Sequence, residues 1–407
     1  MIPFEQAYEQ ILEEINPLSC EIIPLWNATG RVLRDDIKSP VDLPMFSLSG
    51  VDGYAVKFED IQSASKEKPV ELEIIDTIAA GKFSLEKVTS GKAIRILTGA
   101  PVPEGTDSIV MQEFTEKNKD KVLFFAPAGK GDNVRPQGED VKTNQLVMRS
   151  GTFLRPAEIL MLGALGMDRV KVGKRPRVAI IPTGNEVVTL DDPLEPGQVR
   201  NCNQYGVAAA VVHCNGNLIL SKIIPDDEIE LENAIRDCLD AGADLILTIG
   251  GVSVGDYDIT KAVFQKMGHI KLWRVAIQPG KPLAYGKIQD IPIMGLPGFP
   301  VSCMVIFEEF VRAILWKMQG RHQFETPHCL AILDEPIQRQ AGRQAFYRGI
   351  AVKDETGRYH VKPTGPQGSG IISSLVKANC FIILPSEKGT FKAGEQITIQ
   401  FPEILNS

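Results

Sequence analysis

Thr248-Ile-Gly-Gly-Val-Ser-Val-Gly-Asp-Tyr-Asp258 is the stretch that decides the fold. It follows the apolar run Ala243-Asp-Leu-Ile-Leu247, so a buried parallel strand enters a loop of small residues, and a helix is expected from about Asp258. Such a loop lets backbone N–H groups approach a phosphate or other oxyanion, and the helix start adds favourable partial charge. A second loop, Gly295-Leu-Pro-Gly-Phe-Pro300, lies between the apolar strand Ile291–Met294 and an apolar helix. Two such turns at strand ends of one sheet point to a phosphorylated ligand.

The flanking sequence supports a sheet covered on both faces. Arg177-Val-Ala-Ile-Ile181 reads as a strand stopped by Pro182-Thr-Gly, Asn203 to Cys214 as a helix and Leu218–Ile224 as a strand. Asp226-Asp-Glu-Ile-Glu-Leu-Glu begins an amphipathic helix whose acidic first turn suits the helix dipole, with Asp226 expected as its cap. A helix near 258–267, strands near 271–277 and 291–294, and a helix from Pro300 to Met318 complete residues 174–320. Strands alternating with helices imply a parallel sheet, and ligands of such sheets sit at the carboxyl ends of the strands. Beyond Gly320 the pattern becomes all-β: Tyr347–Lys353 and Arg358–Lys362 flank Asp354-Glu-Thr-Gly357 as a hairpin. Residues 321–407 read as a small barrel or sandwich. Residues 21–60 and 69–149 are strand-rich with Pro and Gly turns, and Ala157–Leu165 reads as a helix.

Composition narrows the function classes. At 407 residues the chain has room for two or three domains of roughly 150 residues, or four smaller ones. A net charge of −7 supplies no general attraction to nucleic acid or an anionic membrane. No run approaches the roughly eighteen apolar residues that span a bilayer, and the Glu-rich N-terminus does not resemble a signal peptide. The seven cysteines are odd in number and contain no Cys-x-x-Cys pair, so reduced thiols in a cytoplasmic protein are expected.

Four acidic residues sit beside turns that can aim them at a ligand: Asp52, Glu186, Asp226 and Asp258. Carboxylates near a phosphate suit Mg²⁺, which takes one or two of them plus substrate oxygens and water. For each, a helix cap or turn residue is an equally good reading, and for Asp226, at the start of its helix, the better one. Lys281 lies in Gln278-Pro-Gly-Lys-Pro282, where the flanking residues fix the backbone and could aim its ammonium at an oxyanion. Arg343 and Arg348 bracket Phe346, and Ser369 and Ser373 lie further along the same tail; together they form a weak signal for a tetrahedral oxyanion. Arg135 near Glu139 is as readily a loop salt bridge, and Thr98 in Thr98-Gly-Ala-Pro-Val-Pro-Glu-Gly105 faces a ligand or caps its turn. Walker loops, Gly-x-Gly-x-x-Gly and Ser-His-Asp arrangements are absent from the sequence.

Taken in order, these blocks resemble the molybdopterin molybdotransferase family, which includes the E domain of gephyrin. The matching segments are Val51-Asp-Gly-Tyr-Ala-Val56, Thr98–Gly105, Asn133-Val-Arg…Gly138-Glu-Asp140, Pro182-Thr-Gly-Asn-Glu186 and Asn203. They continue with Gly250-Gly-Val-Ser-Val-Gly255…Asp258, Pro279-Gly-Lys-Pro282, Gly295-Leu-Pro-Gly298, Gly342-Arg…Phe346-Tyr-Arg348 and Gly368-Ser-Gly370. The resemblance implies a multidomain α/β plus β chain: a discontinuous helical linker (1–39 and 141–173) and an inserted strand-rich domain (40–140). A central molybdopterin-binding α/β domain (174–320) and a C-terminal β-barrel (321–407) follow. It further implies a homodimer, a transient contact with the molybdopterin adenylyltransferase, and insertion of molybdate into adenylylated molybdopterin with Mg²⁺ and release of AMP. By the same likeness Glu186 and Asp258 are metal and pyrophosphate-side carboxylates, Asp52 acts from the partner chain, and Lys281, Arg343, Arg348 and Ser369 place the oxyanion. Thr98, Thr183, Gly184, Asn203, Gly250, Gly251, Ser253, Gly255, Pro297 and Gly298 would line the pterin nucleotide.

The sequence also departs from that pattern. Gln278 stands where the family usually has Lys, Phe299 where it has Asn, Pro136 in place of a common basic residue, and Leu48-Ser-Gly50 where Asn-Ser-Ala is usual. One charge pair about 4 Å apart is worth about 4 kcal/mol before desolvation at an effective dielectric near 20, so Gln278 is expected to alter anion affinity or choice. A tungstate-using or anion-altered paralogue, and a non-catalytic molybdopterin-binding scaffold, are the alternatives.

Overall fold

The computed structural model describes residues 1–251 and 259–405. The chain forms two compact units, one of Met1–Arg34, Gly151–Arg155 and Val170–Ser407, the other of Asp35–Ser150 and Pro156–Arg169. The stretches expected as one helical linker, 1–39 and 141–173, are thus divided between them. Helix α1, Phe4–Glu13, buries Ala7, Ile11 and Leu12 in the core of the first unit.

The second unit is built on six strands: β1 (Gly53–Val56), β2 (Val70–Ile78), β3 (Lys92–Ile96), β4 (Ser108–Met111), β5 (Thr115–Asn118) and β6 (Lys121–Phe124), ordered β4-β1-β3-β2-β6-β5. Every residue of β1 is buried, because both faces of the sheet are covered. Tyr54, Val110 and Phe124 pack on one face, and Ala55, Ile94 and Ile109 on the other. Helix α2, Pro156–Ala164, belongs to this unit.

In the first unit the chain alternates as β7 (Arg177–Pro182), α3 (Cys202–His213), β8 (Asn217–Ser221), α4 (Glu228–Asp240), β9 (Leu245–Ile249) and α5 (Ile259–Met267). Strands β10 (His269–Arg274), β11 (Ile277–Gln278), β12 (Pro282–Ile288) and β13 (Ile291–Leu296) follow. The sheet order is β8-β7-β9-β13-β12-β10. The first four strands are parallel, as the alternation predicts, whereas β12 runs antiparallel to both its neighbours, β13 and β10. The expectation of a wholly parallel sheet is corrected here, and strand β12 was not foreseen. Its hairpin to β13 turns at Gln289 and Asp290, with φ of 50° and 67°. A two-residue turn with both φ positive joins twisted strands well, but the Asn-Gly or Asp-Gly signal that advertises it is missing. The cap of α4 is also corrected: Asp227, not Asp226, accepts from the amides of Ile229 and Glu230 at 2.8 and 3.0 Å.

Helix α6 (Pro300–Ile306) passes through a π-turn at Phe307–Val311 into α7 (Arg312–Met318). The barrel consists of β14 (His328–Leu333), β15 (Gln344–Lys353), β16 (Tyr359–Pro363), helix α8 (Ser373–Lys377), β17 (Cys380–Leu384) and β18 (Gln396–Gln400). It closes in the order β15-β16-β14-β18-β17, with β17 pairing back to β15. Residues on β15 divide accordingly. Ala345 and Ala351 fill the barrel, while Phe346 turns outward to pack with Phe4, Phe310 and Phe381. Strand β11 adds alongside β15, Gln278 opposite Ala345, so the segment of chain between β10 and β12 of the α/β sheet joins the barrel's sheet. No helix among the described residues is long and apolar enough to cross a membrane.

Candidate functional site

Three parallel strands end level with one another. Pro182 on β7 is opposite Ile249 on β9, which is opposite Leu296 on β13. From these ends the chain leaves as Thr183-Gly184, Gly250-Gly251 and Pro297-Gly298. Backbone bonds lace the exits together: the Thr183 amide donates to the Ile249 carbonyl at 2.8 Å, and the Gly250 amide to the Leu296 carbonyl at 3.0 Å. Gly250 and Gly251 have φ of 89° and 65°, in the left-handed region that favours glycine. A Cβ on Gly250 would lie 2.6 Å from the Thr183 carbonyl oxygen, and one on Gly251 2.5 Å from Thr260 Oγ1. A Cβ on Gly298 would stand 3.7 Å from the Gly250 Cα, so the two glycine turns are neighbours. The result is a bare-backbone cradle at the carboxyl edge of the sheet.

Its lining is polar and unsatisfied. Thr183, Thr248 and Thr260 are buried, and their hydroxyls have no hydrogen-bond partner among the described residues. An unpaired buried hydroxyl costs about 1–3 kcal/mol, which a polar ligand or water offsets. Sequence reasoning missed Thr248 and Thr260. The available signal was position, since each immediately flanks the small-residue loop.

Neighbouring elements fix the cradle. Asn201 caps α3 by accepting from the Gln204 amide, and Asn203 Nδ2 donates to the Gly298 carbonyl at 2.6 Å. The Ser369 carbonyl accepts from the Val301 amide at 2.9 Å, bringing the barrel loop 365–370 to the start of α6. Arg348 lies directly behind that loop and is fully buried. Its Nε donates to Ser374 Oγ at 3.0 Å and Nη2 to the Gly368 carbonyl at 3.3 Å, while Nη1 is buried without an acceptor among the described residues. The serine that meets this guanidinium is Ser374 rather than Ser373. Burial pulls the Arg348 pKa down to about 10, and the nearest countering influence is the Tyr347 phenol rather than a carboxylate.

Lys281 is half-buried just before β12; Ala284 opposite Gly295 places it at the same carboxyl edge. Arg343 precedes β15 where β11 joins it, and its carbonyl accepts from Arg339. Glu186 is exposed, and a Cβ on Gly184 would lie 2.7 Å from its Oε2, so the carboxylate folds back over the turn. It has no partner among the described residues. Those residues hold no cluster of three or more metal-ligating side chains. A single carboxylate beside these bare glycine turns nevertheless fits Mg²⁺, which takes one or two carboxylates and completes its shell with other oxygens and water. Ser253, Gly255 and Asp258 lie outside the described residues. Asp226 is exposed, and its amide donates to Asn185 Oδ1 at 3.1 Å.

Asp52 and Thr98 form a separate constellation in the second unit. Thr98 donates both its amide and its hydroxyl to Asp52 Oδ1, at 2.7 and 2.8 Å, which holds the carboxyl below the usual range. Arg95 stacks on Tyr54 at 4.9 Å and bonds Gln112, whose amide donates to the Asp52 carbonyl. Arg135 pairs with Glu139 at 2.5 Å, the loop salt bridge that its spacing allows.

Fold and cradle together define a protein that presents glycine turns at the carboxyl edge of a mixed α/β sheet, closed on one side by a β-barrel. Comparison with known proteins gives the class its family. The chain matches the MoeA N-terminal region (domains I and II) over residues 2–166, the probable molybdopterin binding domain over 179–317 and the MoeA C-terminal region (domain IV) over 331–401. It is 38% identical over 403 residues to the molybdopterin molybdenumtransferase of Haemophilus influenzae, covering 98% of each chain. It is 33% identical to that of Bacillus subtilis, covering 98% of this chain and 93% of the relative. The solved molybdopterin biosynthesis moeA protein of Pyrococcus horikoshii OT3 superposes with a TM-score of 0.84 at 33% identity, covering 98% of this chain and all of that one. This chain belongs to the MoeA family.

Proposed function

We propose that this protein is a molybdopterin molybdenumtransferase, which inserts molybdate into the dithiolene of adenylylated molybdopterin and releases AMP. The observation that carries the reading is the buried Arg348 guanidinium, which among the described residues has no acceptor for Nη1 and no carboxylate against it, behind a cradle of bare backbone. A buried cation without a counter-charge is unfavourable. An oxyanion substrate supplies that charge, and the three glycine turns take the pyrophosphate of the same ligand.

Thr183, Thr260 and the amides of Gly250 and Gly251 hold the phosphates, while Asn203 keeps the Gly298 turn in register. Lys281 and Arg348 place the oxyanion, with Arg343 and Ser369 beside them. Glu186 and Asp258 are the carboxylates that would hold Mg²⁺, which neutralises pyrophosphate charge when bound. The partner subunit's Asp52 completes the site of a homodimer, and the molybdopterin adenylyltransferase hands over its product by transient contact. Positioning and charge stabilisation then account for most of the rate.

The test is incubation of the purified protein with adenylylated molybdopterin, Mg²⁺ and molybdate. Metal insertion with stoichiometric AMP is expected, and absence of both rejects the reading. One structural detail favours a modified anion preference: Gln278, on the short strand beside β15 of the barrel, carries a buried Oε1 with no hydrogen-bond partner among the described residues. Including tungstate as competitor, for the wild type and Gln278→Lys, resolves this. Equal preference for molybdate in both proteins removes the case for an altered anion.

A further inference from the structure

Phe299 is placed where the fold has no need of an aromatic side chain. It is the N-cap residue of α6, a position that favours Ser, Thr, Asp or Asn because their oxygens accept from helix amides. A phenyl ring accepts no such bond. The Val301 amide instead donates to the Ser369 carbonyl from the barrel loop. The ring is 64% exposed, and no other aromatic packs on it among the described residues. Its near neighbour is Gly370, where even an added Cβ would stand 3.9 Å from ring Cδ1, so no side chain there covers the ring. An aromatic ring at a position that forfeits its helix cap breaks a local rule of the kind that functional sites break.

The chain immediately before the ring explains where it points chemistry. Gly298 abuts Gly250 and gives its carbonyl to Asn203, so Phe299 is anchored at the rim of the cradle. A ligand held there by its phosphates carries its ring system to the rim. We propose that Phe299 is a stacking platform for the planar heteroaromatic ring of that ligand, a nucleobase or a pterin. The inference rests on the pterin-nucleotide reading of the site. It assigns to this chain a specificity contact made by an aromatic face, where hydrogen bonding to the cradle alone would select only for phosphate.

The test uses the full-length protein and three probes: AMP, 6-hydroxymethylpterin and inorganic pyrophosphate. Binding to the wild type, Phe299→Ala, Phe299→Leu and Phe299→Trp is measured by calorimetry, and ring stacking by the upfield shift of the probe's ring protons. Stacking on an aromatic side chain is worth about 1–3 kcal/mol, so the Ala and Leu variants should bind the stacked probe about 5- to 150-fold more weakly, with the upfield shift lost. Phe299→Trp should retain both, and pyrophosphate should bind all four proteins alike. Whichever of AMP and the pterin responds identifies the ring. Unchanged binding of both ring probes by Phe299→Leu overturns the proposal. So does a matching loss of pyrophosphate affinity, which would assign the effect to loop geometry. If stacking is seen but molybdate insertion is not, the functional reading fails and the platform stands. If insertion proceeds in Phe299→Leu with the wild-type KM, the platform fails and the function stands.

Discussion

At the scale of single residues, the informative groups are those whose surroundings do not satisfy them. Arg348 is the clearest. Its folded pKa of about 10 lies below the ordinary arginine value of 12.5, so the penalty for burying its charge is present at all pH values below about 10 and is relieved as pH rises beyond. Anion binding to it should accordingly weaken above about pH 10. Molybdate at about 100 times its Kd should stabilise the wild type by about 2.7 kcal/mol in thermal unfolding, and Arg348→Met should abolish that shift. An equal shift in the variant would move the oxyanion elsewhere. Asp52 is the opposite case, already satisfied by two donors from Thr98 and holding its turn without any ligand. Asp52 and Thr98 could be flagged from the sequence, but their bond could not, because 46 residues separate them.

Among elements, the glycine turns separate two effects that a single mutation usually mixes. Gly250→Ala puts a side chain where φ is 89° and a Cβ would press to 2.6 Å on a backbone oxygen. It should lose about 1–3 kcal/mol of stability along with ligand binding. Gly298→Ala meets nothing closer than 3.7 Å, so its Cβ fits without the ligand and stands in the ligand's way. Its thermal unfolding should stay within about 0.5 kcal/mol of wild type while AMP affinity falls at least tenfold. Parallel losses in both variants would mean that the cradle is only a packing feature. The parallel strands and their loops were legible because apolar runs of strand length alternate with amphipathic helices. Strand β12 was hidden because its turn at Gln289-Asp290 lacks the usual turn residues.

In the first unit as a whole, the α/β sheet, α1 and the barrel share one apolar core through Phe4, Phe310, Phe346 and Phe381. Within that core lies a polar knot on the π-turn. Gln400 of β18 donates to Glu309 at 3.1 Å, and Arg312 Nε lies 2.8 Å from Glu308 Oε1. Arg312 also donates to the Phe324 carbonyl and to Thr326 and lies over Trp316. Burial, followed by the Glu308 charge, raises the Glu309 pKa to about 8. For an acid whose folded pKa is raised, the folded state holds the extra proton, so stability falls as pH rises from the usual glutamate range through about 8. Glu309→Gln keeps a hydrogen-bonding partner for Gln400 and removes the charge. It should be more stable than wild type at pH 9 by ~1 kcal/mol or more, with the gap closing near pH 5. An advantage independent of pH would show that Glu309 is not the titrating group.

The sequence by itself determined the class of each region, the glycine turns and the family likeness. These follow from local facts: side-chain periodicity, small residues where backbone must be bare, and motifs in fixed order. Tertiary structure alone decided which of the nominated residues share a space. It set Thr183, Gly250, Gly298, Asn203 and the Ser369 loop along one edge, sealed Arg348 behind them and left Phe299 uncovered at the rim. Proximity and burial depend on how distant segments pack, and residues far apart in the chain carry no local mark of meeting.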